Sequence, residues 1–384
     1  MATMAAFAAD RDPNKLDLGV GVYRNEAGAT PVMAAVRAAE SALLARQTTK
    51  AYVGFGGNRP FAAFIEQLVL GAAHPARAAG RVVTLQTPGG CGALRLAADL
   101  VLRAGRGARV LVSDPTWPNH MPLIGGAGLP VDTYPYYDPA SGTIAFEAML
   151  AALERLAAGS VVVLHGSCHN PTGADLSREQ WLALAELLGR RGLLPLVDLA
   201  YQGLGDGLDA DAAPVRLLAE RLPELLVAAS CSKNFGLYRE RAGAIVAVAA
   251  SAREADIVMG HLQLLARRIW SFSPDHGAAI VATVAADPAL HAQWSAELEG
   301  MRQRVAAQRV RLAAALRDQF KSPRFDFIAG QRGMFSLLGL DAAAVRALAA
   351  EHHVYIAADS RINIAGLPEP QIERLARTLR AVAG

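Results

Sequence analysis

Short apolar runs alternate with amphipathic stretches from about Ala34 to Pro288, and this alternation is the feature that most constrains the fold. The strand candidates are Val82–Gln86, Arg109–Ser113, Val131–Tyr136, Val161–His165, Leu194–Asp198, Leu225–Ser230 and Ala244–Val248. Several are apolar at consecutive positions, as expected of strands that are covered on both faces of a parallel sheet. The alternation therefore predicts an α/β domain whose mainly parallel sheet is sandwiched by helices.

The helical stretches carry their own end signals, most clearly between Ser177 and Gly192. Ser177 and Gln180 have the spacing of a capping box. Trp181 and Leu184 then fall on one face, and Gly192 is a typical residue to end a helix.

The tail has a different pattern, which predicts a second and smaller domain. A long helical segment from about Gly300 is followed by an apolar run at 333–340, another helix, a second run at 354–367 and a last amphipathic helix. That order is typical of an α+β unit. The N-terminal segment is too short to fold alone and is expected to pack against this unit. We predict a large domain over residues 31–300 and a small domain over 1–30 and 301–384.

Charge and cysteine content exclude several classes of function. The net charge of the 384-residue chain is only +3, which favours neither nucleic acid nor an anionic membrane as a partner. Three scattered cysteines, Cys91, Cys168 and Cys231, argue against a disulfide framework and against a zinc site. Neither a convincing signal peptide nor a run of about eighteen apolar residues is present, so we expect a cytoplasmic protein.

Residues that can carry chemistry follow the predicted strands, where open α/β sheets bind ligands. Lys233 lies at a strand end beside Ser230, Ser232 and Arg241, and a desolvated lysine there would be nucleophilic toward a carbonyl while its neighbours bind an anion. Asp198 ends another apolar strand and needs a cationic partner, because an unpaired buried charge is costly. Taken alone, an exposed lysine at a strand end is the favoured explanation of the first segment, and a structural ion pair explains the second equally well.

Further segments could complete a binding site. The glycine turn of 84–100 opens a helix whose free N–H groups could hold a phosphate, although it lacks the spacing of a dinucleotide fold or a P-loop. Trp117 could stack on a flat ring, Asn170 and Tyr201 could contact a phenolic oxygen, and Arg361 and Arg267 could each bind a carboxylate. The histidines of these loops, His120, His165 and His169, are expected to be hydrogen-bonded rather than to bind metal.

Taken together, these segments resemble the aspartate and aromatic amino-acid aminotransferases, a class I group of pyridoxal-phosphate enzymes. The resemblance covers nearly the whole chain, and its blocks occur in the order of the family. They are LGVGVYRNEAGATPV, YVGFGGNRPF, QTPGGCGALR, SDPTWPNH, HNPTGADL, DLAYQGL, SKNFGLYRER and QRGMFSLLGL.

The resemblance implies fold type I of the pyridoxal-phosphate-dependent transferases, a homodimer with shared active sites, and specific roles for residues of these blocks. Lys233, which would bind pyridoxal 5'-phosphate covalently, Asp198 and Tyr201 are the expected catalytic residues. The cofactor-binding residues would be Gly90, Cys91, Trp117, Asn170, Asp198, Tyr201, Ser230, Ser232, Lys233 and Arg241, with Tyr52 from the other subunit. The substrate-binding residues would be Gly21, Trp117, Asn170 and Arg361, with Arg267 again from the neighbour.

Several positions depart from the family's usual pattern. Cys91 replaces a Thr or Ser and is a weaker hydrogen-bond donor. Ser360 replaces the usual Gly before Arg361, and Arg239 replaces a small residue near Arg241. Ile269 and Phe272 replace polar residues that commonly follow Arg267. We therefore expect a modified phosphate cup and a more apolar substrate side.

The implied reaction is a ping-pong transamination between amino acids and 2-oxo acids such as 2-oxoglutarate. In it Lys233 moves the proton from the substrate Cα, and Asp198 keeps the cofactor ring nitrogen protonated. We expect dual acidic and aromatic specificity, with aspartate alone as the plainer alternative. Two further hypotheses are an elimination or decarboxylation with the same cofactor, and a non-catalytic dinucleotide-binding or regulatory module. Arg361 and Arg267 argue against the first, and the missing G-x-G-x-x-G argues against the second.

Overall fold

The computed structural model describes residues 2–105 and 109–384, so Met1 of the predicted small domain and 106–108 of the predicted large domain lie outside it. Its strands are β1 Leu16–Asp17, β2 Val82–Pro88, β3 Val110–Asp114, β4 Val131–Pro135, β5 Tyr137–Asp138, β6 Thr143–Ile144, β7 Val161–His165, β8 Leu194–Leu199, β9 Leu225–Ser230, β10 Ala242–Val248, β11 Phe335–Leu337, β12 Val354–Tyr355 and β13 Arg361–Asn363. In the part of the chain that the structure describes, no helix has both the length and the apolarity to cross a membrane.

The α-helices surround these strands along the whole chain. They are α1 Ala2–Ala9, α2 Ala34–Arg46, α3 Arg59–Leu70, α4 Pro75–Ala78, α5 Gly89–Arg103, α6 His120–Gly125, α7 Phe146–Leu153, α8 Arg178–Arg191, α9 Leu208–Arg221, α10 Ala252–Ile269, α11 Asp275–Ala286, α12 Pro288–Phe320, α13 Phe327–Gly330, α14 Ala342–His352 and α15 Ile372–Ala383. Two short 3₁₀ helices, Ile364–Gly366 and Glu369–Gln371, precede α15.

All seven predicted strands form one sheet, in the order β2-β10-β9-β8-β7-β3-β4. Strands β9, β8, β7, β3 and β4 run parallel to one another, whereas β10 runs antiparallel to both β9 and β2. The prediction of a mainly parallel, seven-stranded α/β sheet is confirmed, and the strand bounds differ from the predicted ones by two residues at most.

Consecutive apolar residues along these strands are explained by a core on each face of the sheet. In β8, Leu194 and Leu196 belong to one buried cluster, while Val197 and Leu199 belong to the other. Side chains alternate between the two faces of a strand, so both faces must be apolar when helices cover both. The same arrangement holds the strand ends, and hence the loops that follow them, in fixed positions.

Helix α8 begins and ends as its sequence predicts. The Ser177 hydroxyl accepts a hydrogen bond from the backbone N–H of Gln180 at 3.2 Å, and the Gln180 side chain accepts one from the Ser177 N–H at 2.9 Å. Gly192 closes the helix in the left-handed conformation at φ 62°. Trp181 and Leu184 are buried against the sheet.

The long tail helix differs from the prediction at its start. It was expected from about Gly300, but α12 begins at Pro288. Asp287 caps it by accepting from the N–H groups of Ala289 at 2.8 Å and Leu290 at 3.2 Å. Proline suits the first turn of a helix because its missing N–H has no partner there anyway. The helix therefore runs without a break through residue 300.

The two ends of the chain contact each other. Strand β1 pairs in parallel with β12, and β11 pairs with β13. Asp10 receives hydrogen bonds at 2.8 Å from the Tyr355 hydroxyl and, with Nδ1 as donor, from His353. A hydrogen bond from the backbone N–H of Asp12, together with these two bonds, lowers the pKa of Asp10 to about 2. The N-terminal segment is thus attached to β12, and its Leu18 carbonyl also accepts a hydrogen bond from the N–H of Asn363 on β13, the strand that carries Arg361.

Candidate active site

A cavity of about 200 Å³ lies at the carboxyl ends of the central parallel strands β7, β8 and β9. This is the position at which open α/β sheets bind ligands. Its lining consists of Gly90, Cys91, Leu94, Trp117, His165, Asn170, Asp198, Ala200, Tyr201, Ser230, Ser232, Lys233 and Arg241. Ten of the predicted site residues are therefore brought together in one place.

Lys233 follows β9 and faces this cavity. Its Nζ lies 4.9 Å from the centre of the Tyr201 ring. The side chain keeps intermediate exposure because it borders the cavity, but the protein packed around it lowers its pKa below the ordinary value, against the opposing charge of Asp198. Desolvation of an ammonium favours the neutral amine, which is the nucleophilic form.

Asp198, near the end of β8, is buried and ionised. Burial by itself would raise the pKa of Asp198, but the hydrogen bond from His120 and the positive charge of Lys233 bring it below the ordinary value. Nε2 of His120 lies 3.2 Å from Asp198 Oδ2, and Nδ1 of His120 lies 2.8 Å from the Thr116 hydroxyl. A neutral imidazole satisfies both bonds if Nε2 donates and Nδ1 accepts. The cavity thus contains a fixed negative charge.

His120 is a functional residue that the sequence analysis missed as the partner of Asp198. The only available signal was its position three residues after Trp117, in a segment already assigned to the site. Its ring also lies edge-on to the Trp117 ring, with centroids 5.3 Å apart. His120 therefore positions both the Asp198 carboxylate and the Trp117 ring.

The other two histidines behave differently from each other. His169 is hydrogen-bonded to the hydroxyls of Ser113 at 3.0 Å and Thr172 at 2.8 Å, in agreement with the prediction. His165 is not: it is buried, and neither of its ring nitrogens has a hydrogen-bond partner among the described residues. Burial, reinforced by the charges of His169 and His120, lowers the pKa of His165 well below its ordinary value, so the ring is neutral.

One potential metal-ligand set arises from this packing. Ligand atoms of His120, His165 and Asp198 lie within 4.8 Å of one another. Because His120 Nε2 and the Asp198 carboxylate are already hydrogen-bonded to each other, the set is satisfied in part without an ion. The expectation that these histidines bind no metal stays a prediction.

The glycine turn before α5 forms a cradle beside Arg241. A Cβ on Gly89 would lie 2.6 Å from Arg241 Nη2, and a Cβ on Gly90 would lie 3.2 Å from the Cβ of Ser230. Arg241 also donates from Nη1 to the Ser232 hydroxyl at 3.3 Å. Glycine is thus required where the backbone, the guanidinium and the serine approach closely. Together with the free N–H groups of the first turn of α5, this cradle suits an anion.

Arg361 is connected to the cavity through Asn170. Arg361 Nη1 donates to Asn170 Oδ1 at 2.9 Å, and Asn170 Nδ2 donates to the Tyr201 hydroxyl at 3.2 Å. Arg361 Nη2 donates to the carbonyl of Gly19 at 3.0 Å, whereas Nε is buried with no partner among the described residues. The guanidinium lies over the Phe335 ring at 4.2 Å. An unused donor on a clamped guanidinium can receive a carboxylate.

The loop that carries Asn170 is positioned by Asp175. This buried carboxylate accepts from the N–H groups of Cys168 at 2.7 Å and His169 at 2.8 Å. Burial raises the pKa of Asp175 to about 6 although these bonds oppose the rise. Gly21, the remaining predicted substrate residue, lies against Phe335, where a Cβ would come within 2.8 Å of the ring.

Tyr52 and Arg267 are absent from the cavity lining of this chain. Their side chains lie on the surface, where Tyr52 is 83% exposed. This placement is compatible with the prediction that they act in the site of another subunit, which stays a prediction.

Two larger cavities lie away from this site. One, of about 270 Å³, is chiefly apolar and lies between α5, α10 and the opposite ends of the same strands. The other, of about 390 Å³, lies beyond β7 against α8 and α9. Neither contains a lysine, and neither combines a cradle of backbone N–H groups with a buried acid.

Comparison with known proteins gives a family match over nearly the entire chain. Residues 13–379 match the sequence profile of the aminotransferases of class I and II. The chain is 48% identical over 379 residues to the aromatic-amino-acid aminotransferase of Paracoccus denitrificans, covering 99% of this chain and 95% of that protein. It is 43% identical over 376 residues to the aspartate aminotransferase of Escherichia coli strain K12, with 98% and 95% covered.

A solved structure agrees with the sequence relatives. The fold superimposes with a TM-score of 0.96 on the aromatic-amino-acid aminotransferase of Burkholderia pseudomallei, described as covalently bound to pyridoxal phosphate. That protein is 42% identical, and the match covers 100% of this chain and 96% of the other.

Proposed function

The chain belongs to the class I and II aminotransferases, which depend on pyridoxal phosphate, and from this membership we propose that it transfers amino groups from aspartate and aromatic amino acids to 2-oxoglutarate. We also propose a homodimer with shared sites, and the division into a domain of residues 31–300 and a domain of 1–30 and 301–384. The cytoplasm stays the location expected from the sequence. The observation that carries the chemistry is a desolvated lysine and a buried ionised acid in one cavity.

The residues of the cavity fit the cofactor. The cradle of Gly89, Gly90, Ser230 and Arg241 suits a phosphate because a guanidinium, a hydroxyl and the N–H groups at the start of α5 converge there. Asp198 is the buried anion that a protonated pyridine nitrogen requires as a partner. When bound, the cofactor supplies an aldehyde and a ring that accepts the electrons released at the substrate Cα.

We assign the remaining steps to side chains of this chain. Lys233 would hold the cofactor covalently, and its freed Nζ would take the proton from the substrate Cα and deliver it to the cofactor carbon that had carried the aldehyde. Asp198, held ionised by His120, would keep a proton on the ring nitrogen. Asn170 and Tyr201 would contact the phenolic oxygen, and Trp117 would cover one face of the ring. Gly90, Cys91, Ser230, Ser232 and Arg241 would hold the phosphate, with Tyr52 from the neighbour.

Two arginines would select the substrate. Arg361 would bind the α-carboxylate, because its guanidinium is clamped by Asn170 and Gly19 while Nε is unpaired among the described residues. Gly21 lies in close contact with Phe335, the ring beneath the Arg361 guanidinium. Arg267 of the neighbour would bind a side-chain carboxylate. The names of the relatives, aspartate and aromatic-amino-acid aminotransferases, support both substrate classes.

The chemistry is tested by finding the lysine that holds the cofactor. Borohydride reduction of cofactor-loaded protein, followed by peptide mapping, should label the peptide that contains Lys233. Lys233→Ala should lose the label and nearly all turnover but keep its fold, since the side chain borders the cavity and is partly exposed. Lys321→Ala is the matched control, because that lysine is 77% exposed. A label elsewhere, or near-normal turnover of Lys233→Ala, would reject the proposal.

Substrate choice is tested by kcat/KM for aspartate, phenylalanine and tyrosine with 2-oxoglutarate as acceptor. Dual use predicts comparable values for the two classes. Discrimination above about a thousandfold, which corresponds to about 4 kcal/mol of differential transition-state binding, would reject it.

A further inference from the structure

Three aromatic rings form an exposed stack outside the cavity, which we call the aromatic stack: Tyr52, Phe55 and Phe272. The Phe272 ring lies 4.6 Å from Tyr52 and 5.0 Å from Phe55, nearly parallel to both. Tyr52 is 83% exposed and Phe55 is 45% exposed. A contiguous exposed apolar surface of this kind marks a contact with another molecule.

The backbone beneath the aromatic stack is fixed by Gln86, a fully buried residue of β2. Its side chain accepts from the Asn58 N–H at 2.7 Å and donates to the Pro274 carbonyl at 2.8 Å. Gly57 is left-handed, and a Cβ there would lie 2.4 Å from Gln86 Oε1. The loop of Phe55 and the loop of Phe272 are therefore held to the same side chain, so their rings keep a set spacing.

Arg267 at the end of α10 rests on this stack. Its guanidinium carbon lies 4.7 Å from the centre of the Phe55 ring. Within residues 2–105 and 109–384, Arg267 has no ion pair and no hydrogen bond recorded, so the ring is its main partner. A cation–π contact at an exposed position is weak, whereas a charge-assisted bidentate bond to a carboxylate is strong. A carboxylate that approached could therefore draw Arg267 off Phe55.

We propose that Phe55 is a specificity-determining residue that holds Arg267 when the substrate has no second carboxylate. The inference rests on the proposed function, in which Arg267 recognises acidic side chains in the neighbour's site. With aspartate, Arg267 leaves the ring and binds the carboxylate. With an aromatic substrate it stays over Phe55, so that its charge is not left unpaired when the substrate excludes water. Phe55 thus favours aromatic turnover and opposes acidic turnover, for which it must release Arg267.

The test compares Phe55→Leu, which removes the ring at similar volume, with Phe55→Tyr, which keeps it. The contact is already present without substrate, so only its strengthening on desolvation affects kcat/KM, and Phe55→Leu should lower kcat/KM for phenylalanine by about fivefold to tenfold. The kcat/KM for aspartate should rise by about twofold to fivefold, since Arg267 no longer has to leave the ring to bind the carboxylate. Phe55→Tyr should behave like the wild type with both substrates. Both substitutions are at a surface position and should leave the melting temperature and the cofactor absorbance intact.

A second background shows whether Phe55 acts through Arg267. In Arg267→Gln, aspartate activity should be lost, and adding Phe55→Leu should no longer change kcat/KM for phenylalanine. An equal loss for both substrates in Phe55→Leu, or the same loss for phenylalanine in the Arg267→Gln background, would overturn the role of Phe55. A wild type that uses aspartate but no aromatic substrate would instead reject dual specificity, and this inference with it. The wild-type measurement alone therefore distinguishes the two failures.

Discussion

At the scale of single residues, the site works by fixing charge where burial would otherwise remove it. Asp198 is buried, and burial alone would raise its pKa, yet the donor on His120 keeps it ionised. For Lys233 the effect of burial is the larger one, so its pKa falls. Both groups therefore bind protons less tightly than usual, which gives the site a carboxylate and favours the neutral amine.

His120 should therefore control the pH at which Asp198 is ionised. In His120→Leu the buried carboxylate loses its donor, so its pKa rises and the ionised form appears only at higher pH. The acid limb of the kcat/KM profile should move to higher pH, and kcat/KM at pH 7 should fall about tenfold to a hundredfold, the equivalent of one hydrogen bond to a charged group. His276→Leu, at a side chain that is 60% exposed, should change neither. An unmoved acid limb in His120→Leu would contradict this role.

Ser360 illustrates a residue-level departure that the structure explains. It adopts φ +66°, the left-handed region in which a Cβ is disfavoured. Glycine, usual at this position in the family, has no such penalty. Strain of this kind immediately before Arg361 shows that the turn is held by its surroundings rather than by local preference.

At the scale of elements, the sequence pattern predicted the strands of the sheet well. Both faces of each strand are covered, so nearly every residue of a strand is apolar and the run is easy to recognise. The start of α12 was misplaced because the cap at Asp287 and the proline after it were not read as a helix start. Strands β1 and β12 have two residues each, too few for any periodic signal, and exist because distant segments pair. The cavity residues were predictable from motifs. The lack of a hydrogen bond to His165 among the described residues and the Phe55–Arg267 contact were not, because both depend on packing between segments far apart in sequence.

Helix α12 stabilises the tail through one buried side chain, Arg309. Its guanidinium donates to the carbonyls of Gly333 at 2.7 Å, Arg332 at 2.9 Å and Phe335 at 2.5 Å, and to the Ser336 hydroxyl at 2.8 Å. Burial lowers the pKa of Arg309 to about 10, so the group is still charged at neutral pH. The loop that leads into β11 is thus bonded to the long helix.

Arg309→Met should remove these donors and leave several buried carbonyls unpaired, at about 1–3 kcal/mol for each. We expect the free energy of unfolding in urea to fall by about 3 kcal/mol or more. The matched control is Arg311→Met on the same helix, where the arginine is 51% exposed and pairs with Glu369. That exposed ion pair should contribute about 0–1 kcal/mol. Equal losses in the two variants would show that Arg309 is not the structural link inferred here.

At the scale of the whole molecule, the site joins parts of the chain that are far apart in sequence. Arg361, on β13, bonds to Gly19 near the N-terminus and to Asn170 after β7. Tyr52 and Arg267, by contrast, lie outside the cavity lining of their own chain, on an exposed aromatic surface. A site that needs both sets of residues is complete only when a second copy supplies the latter, which is the form of the homodimer that we propose.

Hybrid dimers should separate action within a chain from action across the interface. In a hybrid of Lys233→Ala with Arg267→Gln, the site that keeps Lys233 would receive a wild-type Arg267 from its partner. Neither homodimer should use aspartate well, but after co-refolding in equal amounts the mixture should regain about a quarter of wild-type activity, because half of the dimers are hybrids with one competent site. A hybrid of Lys233→Ala with Arg268→Gln, at the adjacent exposed arginine, is the control, since the second chain is already active toward aspartate and mixing should add nothing. If Arg267 served its own chain, every site of the first mixture would lack either Lys233 or Arg267, and aspartate activity would stay at the sum of the separate homodimers.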